Sequence, residues 1–515
     1  MLAKVMSAQV SGLSADIIDV EVDISQGLHS FSIVGLPDKA VEESKDRITA
    51  AIKNSGFKSP QKGNAKVIVS LSPADLKKEG SSFDLAIALA HLLATRELSF
   101  NPKGKLFLGE LALDGMLRPL RGALMMARRA KGAGFSELYL PRENAREAAL
   151  IEGLTVYPVH TLRELAAHLN PFAGEGPEPL RIATQPKTEI VFGKTSYATD
   201  FADVKGAESA KRGLEIAAAG GHNIAMSGPP GTGKTMLAKA FIGILPPLPF
   251  EHILEVTGIH SSAGVLTEDL VTYPPLRSPH HTASYVSMVG GGAIPKPGEI
   301  TLAHRGVLFL DEFPEFERRV LESLRQPLED RVISISRARG TIAFPADFIL
   351  IATMNPCPCG NRGVRGKECI CSQQAVQKYE RKISGPIIDR IDLWLEVPQV
   401  DPKKLSNETE GEGSYTIRER VQSARVQQRE RFSGIPGLTV NSQMNVRELK
   451  RFCPLSPEAV EILNASASRL NLSARVYHRL IKLARTIADL AGAETIAPPH
   501  LLEALQYRPK ERAGY

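Results

Sequence analysis

The chain has 515 residues, of which 43% are hydrophobic and 23% are charged. This length exceeds what one hydrophobic core supports, so we expect about three domains of ordinary globular composition. The net charge of +6 permits nucleic-acid binding without requiring it. No apolar run approaches the roughly 20 residues that span a bilayer, and the N-terminus lacks a signal-peptide core and cleavage site. We therefore expect a cytoplasmic protein without a membrane partner.

The first block of the chain, residues 1–170, alternates strand-like and helix-like stretches. Residues 67–71 read VIVSL and predict a strand, whereas residues 83–90 predict a helix. A Pro- and Gly-rich stretch then has the composition of a linker, which we place at 171–192. A second polar stretch at 401–414 separates residues 193–400 from a helical C-terminal block at 416–515.

Residues 228–235 form a complete phosphate-binding loop between a short apolar stretch and a helical one. Its glycines let backbone N–H groups surround phosphates without a Cβ clash. Lys234 is placed to reach the β- and γ-phosphates, and the Thr235 hydroxyl to bind Mg²⁺. The loop consists of Gly228, Pro229, Pro230, Gly231, Thr232, Gly233, Lys234 and Thr235.

An unusually long stretch separates the loop from Asp311 and contains the segments 277–282 and 290–299, the second of which is rich in Gly and Pro. Gly and Pro at this density interrupt a helix, so we predict a loop projected from one. His280 and His281 lie in it and raise the possibility of a metal site. Because adjacent side chains point in different directions on most backbones, we favour a structural role in the loop.

The apolar residues 307–310 lead directly into Asp311 and Glu312. Asp311 is expected on the Mg²⁺ side of the nucleotide, and Glu312 as the general base that polarises the attacking water. The alternative is a Gly-Pro turn and an unrelated acidic strand end. Together with the loop, the two carboxylates predict a chain that binds ATP with Mg²⁺ and hydrolyses it.

Residues 331–344 alternate in polarity around an Arg-Gly turn, which predicts a β-hairpin. Arg337 and Arg339 lie near its tip, where basic side chains can grip the phosphates of DNA. A solvated turn is the alternative. Downstream, Ser473 is a plausible N-cap for a helix that runs to Leu490.

Four of the five cysteines form two C-x-C pairs separated by nine residues. Four thiolates can close a tetrahedral Zn²⁺ site that is structural, since it leaves no position open for water. Reduced thiols without metal, or a disulfide, are the alternatives, while Cys453 is expected to pack in a core. The proposed zinc ligands are Cys357, Cys359, Cys369 and Cys371.

The order of these elements resembles that of the AAA+ ATPases. The resemblance implies that Asn355, at the end of an apolar strand, is the first sensor, which places the attacking water. It implies that Arg390 is an arginine finger acting on the nucleotide of a neighbouring subunit, in a ring that is usually a hexamer. Arg475 is the best second-sensor candidate. For each arginine alone, a surface or salt-bridging role is the alternative.

Longer motifs at 277–282, 297–312 and 484–490 resemble the ComM (YifB) subfamily within the magnesium-chelatase-like branch. The resemblance implies an α/β chain with an N-terminal Lon-protease-like α+β domain, a central AAA+ P-loop α/β domain and a C-terminal helical lid. It also implies a bacterial hexameric helicase that promotes branch migration while incoming single-stranded DNA integrates during natural transformation. The residues alone indicate an ATP-driven ring with a basic hairpin.

The same resemblance extends to the first block. Residues 78–84 parallel the nucleophile segment of a Lon-type protease, with Ser82 at or near the serine, but the position of the catalytic lysine holds Leu124. A serine needs an adjacent base to become a nucleophile, so we predict no peptidase activity. The domain is instead expected to serve ring assembly or contact with DNA or a partner.

Two other functions compete with a DNA motor. A chelatase motor subunit would remodel a metal-inserting partner, but the chain lacks a D-x-S-x-S motif and a long acidic, Pro-rich linker. A chaperone or protease regulator would respond to unfolded protein, and no aromatic-Val-Gly substrate loop stands out.

Overall fold

The computed structural model describes residues 1–11, 14–60, 64–170, 181–190, 199–268, 270–292, 296–337, 340–364, 366–399 and 411–509. The chain divides into two compact units. The N-terminal unit comprises Met1–Val191 and Ile253–Val271, and the C-terminal unit comprises Phe192–His252 and Thr272–Tyr515. The linker predicted at 171–192 lies largely outside the described residues, as do residues 401–410. The predicted domain limits therefore stay predictions.

The described part of the N-terminal unit is built from a four-stranded, a three-stranded and a two-stranded sheet, together with helices. Its strands are β1 Leu2–Ser11, β2 Ser14–Gln26, β3 Ser30–Val34, β4 Ala65–Ser72, β5 Lys105–Phe107, β6 Glu110–Leu111, β7 Leu117–Arg118, β8 Glu137–Pro141 and β9 Thr155–Val159. Its helices are α1 Lys39–Asn54, α2 Asp84–Ala94, α3 Ala123–Gly132, α4 Ala145–Ala148 and α5 Leu162–Leu169.

The larger sheet of this unit has the strand order β1-β2-β4-β3, in which β3 alone pairs in parallel. β5, β8 and β9 form a second, parallel sheet, and β6 and β7 form the two-stranded one. Strand β4 contains the predicted strand 67–71, and its residues alternate between buried and partly buried positions, as a strand with one covered face does. Helix α2 contains most of the predicted helix 83–90 and is apolar and buried around nearly its whole circumference. Both predictions are confirmed.

The core of the C-terminal unit alternates strands and helices. Its helices are α6 Glu208–Gly220, α7 Lys234–Ile244, α8 Phe250–Ala263, which continues into the N-terminal unit, α9 Tyr285–Val289, α10 Glu299–Leu302, α11 Arg318–Ser323, α12 Arg325–Asp330, α13 Gln373–Glu380 and α14 Gly385–Ile388. Its strands are β10 Ile224–Ser227, β11 Leu276–Arg277, β12 Gly290–Gly291, β13 Lys296–Pro297, β14 Val307–Leu310, β15 Val332–Arg337, β16 Gly340–Pro345, β17 Ile349–Met354 and β18 Leu393–Glu396.

A five-stranded parallel sheet, in the order β11-β14-β17-β10-β18, organises this core. Every residue of β14 and β17 is buried, because helices cover both faces of such a sheet. The carboxyl ends of the central strands β10, β14 and β17 bear the phosphate-binding loop, the carboxylate pair and the predicted sensor Asn355, respectively. The topology therefore gathers three motifs at one edge.

The two predicted insertions are both present. The first, before β14, holds the short helices α9 and α10 and the two-stranded β12-β13 pair instead of one continuous helix. The second is the predicted hairpin, in which β15 pairs with β16 and Arg337 lies opposite Gly340.

Helices follow the last strand of this sheet along the chain. They are α15 Ser414–Arg431, α16 Val446–Phe452, α17 Pro457–Arg469, α18 Ala474–Leu490 and α19 Pro498–Gln506. Ser473 caps α18 as predicted, since its side chain accepts a hydrogen bond from the N–H of Val476. Among the described residues, every helix is too short or too polar to cross a membrane.

Candidate functional site

The phosphate-binding loop connects β10 to α7, and its shape requires glycine at several positions. Gly231 and Gly233 have φ angles of +77° and +85°, which side chains other than glycine rarely adopt. A Cβ at Gly228 would lie 2.2 Å from the carbonyl oxygen of Val397. The loop therefore curls tightly before the N-terminus of α7, where N–H groups and the helix dipole attract an anion.

Lys234 turns its ammonium back into this loop. Its Nζ donates hydrogen bonds to the carbonyl oxygens of Gly228 at 2.6 Å and Pro229 at 2.7 Å. It also donates to Oδ1 of Asn355 at 3.3 Å, so the predicted first sensor lies beside the loop. Burial lowers the pKa of Lys234. A buried ammonium surrounded by neutral acceptors fits a site for an anionic phosphate.

The two predicted magnesium ligands are in contact. Thr235 Oγ1 donates a hydrogen bond to Oδ2 of Asp311 at 3.0 Å. The other oxygen of Asp311 accepts hydrogen bonds from the Thr353 hydroxyl and, at 3.0 Å, from the N–H of Glu312. A hydroxyl and an oriented carboxylate are hard oxygen ligands of the kind that Mg²⁺ prefers. The residues present thus fit MgATP: the loop would hold the phosphates, and Thr235 and Asp311 would bind the ion.

Glu312 follows Asp311 in a left-handed backbone conformation, with φ of +53°. Its side chain is 55% exposed, and its Oε2 lies 3.4 Å from Nδ1 of His281. The imidazoles of His280 and His281 lie side by side, with ring centroids 4.1 Å apart. The expectation that these side chains diverge was therefore wrong, because the two rings are in contact. The sequence analysis considered His281 only as a possible metal ligand and did not foresee its proximity to Glu312; its position after β11, the neighbour of β14, was the available signal.

Arg390 lies at the other end of the sheet. Its carbonyl oxygen accepts a hydrogen bond from Nδ2 of Asn223 at 3.0 Å. Asn223 immediately precedes β10, whereas the phosphate-binding loop immediately follows that strand. Four strand residues rise about 13 Å, so Arg390 is kept away from the loop of its own chain.

Arg475 lies beside Arg390 at this amino edge, and the carboxylate of Glu329 joins them. Arg475 Nη2 donates to one oxygen of Glu329 at 2.6 Å, and Arg390 Nη2 donates to the other. Burial and then the charge of Arg475 lower the pKa of Arg390, and Nε of Arg390 is buried without a hydrogen-bond partner among the described residues. The arginines line a cavity of about 500 Å³ together with Arg479. Neither Glu329 nor Arg479 was foreseen from the sequence.

The four predicted zinc ligands converge. Their sulfur atoms all lie within 4.8 Å of one another. Cys357 Sγ is 3.4 Å from that of Cys359 and 3.7 Å from that of Cys369, and Cys359 Sγ is also 3.7 Å from Cys369 Sγ. Sulfurs bound at about 2.3 Å around a tetrahedral ion are about 3.8 Å apart, so the spacing fits zinc. No disulfide links the five cysteines, all of which the structure describes.

The cysteine cluster is in contact with the nucleotide loop. Gly360, between the first two ligands and the second two, has a φ of +77°, and a Cβ there would lie 2.7 Å from Cδ of Pro230. The N–H of Asn361 donates to the Cys359 thiol and, as the largest influence, lowers its pKa to about 6. Because Gly360 packs against Pro230, a metal ion that holds the four thiolates together would also support the phosphate-binding loop. Cys453 is buried against the sulfur of Met444, in agreement with a packing role.

Comparison with known proteins agrees with this geometry. The family described as "Magnesium chelatase, subunit ChlI" matches residues 200–405, its C-terminal part matches 411–508, and "Subunit ChlI of Mg-chelatase" matches 20–144. The chain is 42% identical to "Competence protein ComM" of Haemophilus influenzae, with 99% of this chain and 98% of the relative covered. It is 43% identical to "Uncharacterized protein YifB" of Escherichia coli, with 97% and 96% covered.

The chain belongs to the ComM (YifB) family. Its N-terminal, central and C-terminal regions are magnesium-chelatase-like, and membership of this AAA+ family implies ATP and Mg²⁺. A more distant similarity, 24% identity over 56% of the chain and 30% of the relative, is to "DNA replication licensing factor mcm6" of Dictyostelium discoideum.

In this ComM-family chain, the candidate DNA contacts are the least defined part of the site. Strand β15 ends at Arg337, whose side chain is outside what the structure describes, and Arg339 falls outside the described residues. Their contact with DNA stays a prediction. The hairpin that carries them is nevertheless formed.

Ser82, the candidate nucleophile of the N-terminal unit, makes its described hydrogen bond to a backbone carbonyl group and not to a base. Ser82 Oγ donates to the carbonyl oxygen of Ala8 at 3.2 Å, and Leu124 is buried. The neighbouring Ser81 hydroxyl donates to the carboxylate of Glu110. These contacts are compatible with the predicted lack of peptidase activity, while the Lon-like character of this unit stays a prediction.

Proposed function

We propose that this chain is an ATP-driven hexameric ring motor that acts on single-stranded and branched DNA. Its specific role would be branch migration that promotes the integration of incoming DNA during natural transformation. The observation that carries the proposal is the placement of Arg390 and Arg475 at the opposite end of the sheet from their own phosphate-binding loop. Arginines so placed serve hydrolysis only if a second chain brings its nucleotide to them.

Each chain would hold its own nucleotide with the residues at the carboxyl edge. The loop N–H groups and Lys234 bind the phosphates, and Thr235 and Asp311 hold the ion. When bound, Mg²⁺ neutralises charge on the phosphate oxygens. Glu312 accepts a proton from the attacking water, which Asn355 positions. His281, 3.4 Å from Glu312, orients that carboxylate.

The neighbouring chain would complete the site. A guanidinium stabilises the negative charge that develops on the transferred phosphoryl group. Arg390 and Arg475 share one carboxylate, so both guanidinium groups would approach the same nucleotide of the next chain. Such a contact is head-to-tail, and repeating it closes a ring when the rotation allows. A hexamer is the ring that the AAA+ resemblance implies.

Three further features support DNA as the substrate. The hairpin β15-β16 is formed; in sequence Arg337 and Arg339 fall at its turn, and basic tips bind phosphates. One relative carries the name of a competence protein and a distant one that of a DNA replication licensing factor. The net charge of +6 is compatible with a nucleic-acid partner.

We also propose Zn²⁺ as the structural metal of Cys357, Cys359, Cys369 and Cys371, on the sulfur spacing given above. The ion would hold the cysteine loop against Pro230 and so fix the wall of the nucleotide site.

The alternative function is a protein-remodelling motor of magnesium-chelatase type, and the family match over 200–405 favours it. ATP hydrolysis measured with and without single-stranded and branched DNA, at two salt concentrations, separates the two functions. Strong stimulation by DNA that falls with salt supports the DNA motor and leads to a branch-migration assay. An intact basal rate that no DNA stimulates would favour the protein-remodelling motor.

A further inference from the structure

A basic surface lies next to the loop that carries Glu312. It is a groove of about 530 Å³ with Phe316 as one wall. We call it the α13 groove. Its other lining residues all carry hydrogen-bond donors, and none is acidic: Arg318, Gln374, Gln377, Lys378, Arg381 and Lys382.

Four of the residues that line the groove form a row along one face of α13. Gln374, Gln377, Lys378 and Arg381 are spaced i, i+3, i+4 and i+7, which places them on one side of α13. Arg381 is the C-cap residue and keeps helical backbone angles, so it extends the row. At 1.5 Å per residue the row is about 10 Å long, the rise of about three nucleotides in a strand.

Three of the four cations that line the groove have no ion-pair partner among the described residues. Arg318, Lys378 and Arg381 are exposed and form no ion pair with the described residues. Lys382 pairs with Glu315 at 2.7 Å. The carboxylate of Glu380 lies 3.5 Å from Arg362. The cations that line the groove therefore exceed the acids paired with them among the described residues, and such an excess favours a polyanion.

Phe316 is 3% exposed, so its ring is unable to serve as a stacking platform for bases. Contact in this groove would therefore be with the sugar-phosphate backbone and independent of sequence. This property suits a motor that moves along DNA of any sequence.

The groove is connected to the general base through a short chain of contacts. Phe316 is four residues after Glu312, and its ring centroid lies 6.5 Å from that of His281, whose Nδ1 is 3.4 Å from Glu312 Oε2. Glu315, in the same turn, is the partner of Lys382. A phosphate bound at Lys382 would compete with Glu315 and so act on the loop that carries Glu312.

We propose that the α13 groove binds the phosphodiester backbone of single-stranded DNA and couples that binding to hydrolysis at Glu312. This inference rests on the proposed DNA-motor function and adds a second contact surface to the hairpin.

The test compares Lys378→Glu/Arg381→Glu with Arg447→Glu/Lys450→Glu in the full chain. The control pair is exposed on α16 and makes the same change in charge. Binding of fluorescent 30-nucleotide poly(dT) is measured from 50 to 200 mM salt. Loss of two phosphate contacts is expected to weaken binding about tenfold or more and to reduce the salt slope by about 1.4. The ratio of DNA-stimulated to basal hydrolysis is expected to fall toward one, while the control pair behaves as wild type.

Three outcomes would overturn the inference. If wild type and the groove variant bind poly(dT) equally, the groove has no role and the DNA-motor function stands. If wild type binds no DNA, both proposals fail. If the groove variant fails to assemble while the control pair assembles, the groove is a contact between chains. Lys378→Gln/Arg381→Gln, with melting compared to wild type, distinguishes lost binding from misfolding.

Discussion

Arg475 Nη2 donates a hydrogen bond to Oε1 of Glu329 over 2.6 Å. The second oxygen of the same carboxylate accepts from Arg390, so one acidic side chain aligns two arginines and offsets part of their charge. Without it, two like charges would lie close together and repel. Glu329 is therefore a positioning residue of the proposed intersubunit site.

Glu329→Gln is expected to reduce the turnover of ATP hydrolysis about tenfold. A charge-assisted hydrogen bond contributes about 1.5 kcal/mol or more, and the neutral amide has a single oxygen for two guanidinium groups. Binding of a fluorescent ATP analogue should be unchanged, because Glu329 lies beside Arg390 and Arg475, at the amino edge of the sheet. An unaltered turnover would show that the pairing does not position the arginines.

Substitutions of Lys234 and Glu312 are expected to affect different steps, nucleotide binding and hydrolysis respectively. Lys234→Ala should abolish nucleotide binding, since the ammonium that faces the phosphates is lost. Glu312→Gln should keep binding but trap the ATP state, because the amide is unable to accept a proton from water. Binding and single-turnover hydrolysis, measured on the same preparations, separate these effects. Rapid hydrolysis by Glu312→Gln would assign the general base elsewhere.

Arg390→Ala should eliminate hydrolysis while nucleotide affinity stays nearly intact. Its mixture with Lys234→Ala tests action across the subunit boundary, because one variant supplies the loop and the other the arginine. When the two variants mix randomly in equal amounts, about one quarter of the interfaces are expected to combine an intact loop with an intact arginine. If the mixture is as inactive as its components under conditions in which chains exchange, Arg390 acts within its own chain.

Removal of two cysteine ligands is expected to release zinc. Cys369→Ser/Cys371→Ser should lose the metal and lower ATP hydrolysis, because the loop with Gly360 packs on Pro230 of the nucleotide site. Cys453→Ser is the control, since this thiol is buried near Met444, outside the cluster. Elemental analysis of freshly purified protein measures the metal, and wild-type protein without zinc would contradict the assignment.

The stability of the N-terminal unit should depend on His91. Burial lowers the pKa of His91 to about 4, and its Nδ1 has no hydrogen-bond partner among the described residues. Between pH 6.5 and 4 the unfolded chain takes up a proton that the folded chain does not, so stability falls as pH falls. At pH 5 the loss is about 2 kcal/mol.

His91→Leu removes this titration, and urea unfolding followed by circular dichroism at pH 7 and pH 5 measures it. The unit should lose about 2 kcal/mol less in the variant than in wild type between these pH values. Equal losses would mean that His91 accepts a proton in the folded chain.

Local patterns were sufficient for much of the fold. Strand β4, helix α2, the Ser473 cap of α18 and the hairpin β15-β16 follow from periodicity, capping and turn residues that act over a few positions. The phosphate-binding loop and the C-x-C pairs were readable for the same reason, since their chemistry depends on spacing along the chain.

The side-chain contacts that the sequence did not predict join residues that are distant along the chain. Glu329 and Arg475 are 146 positions apart, and His281 reaches Glu312 only because β11 lies next to β14 in the sheet. The parallel strand order decides which strand ends share an edge, and no local pattern encodes it. Sequence therefore determined the type of chemistry at each motif, whereas tertiary structure decided that the loop and the arginines occupy opposite edges of one sheet.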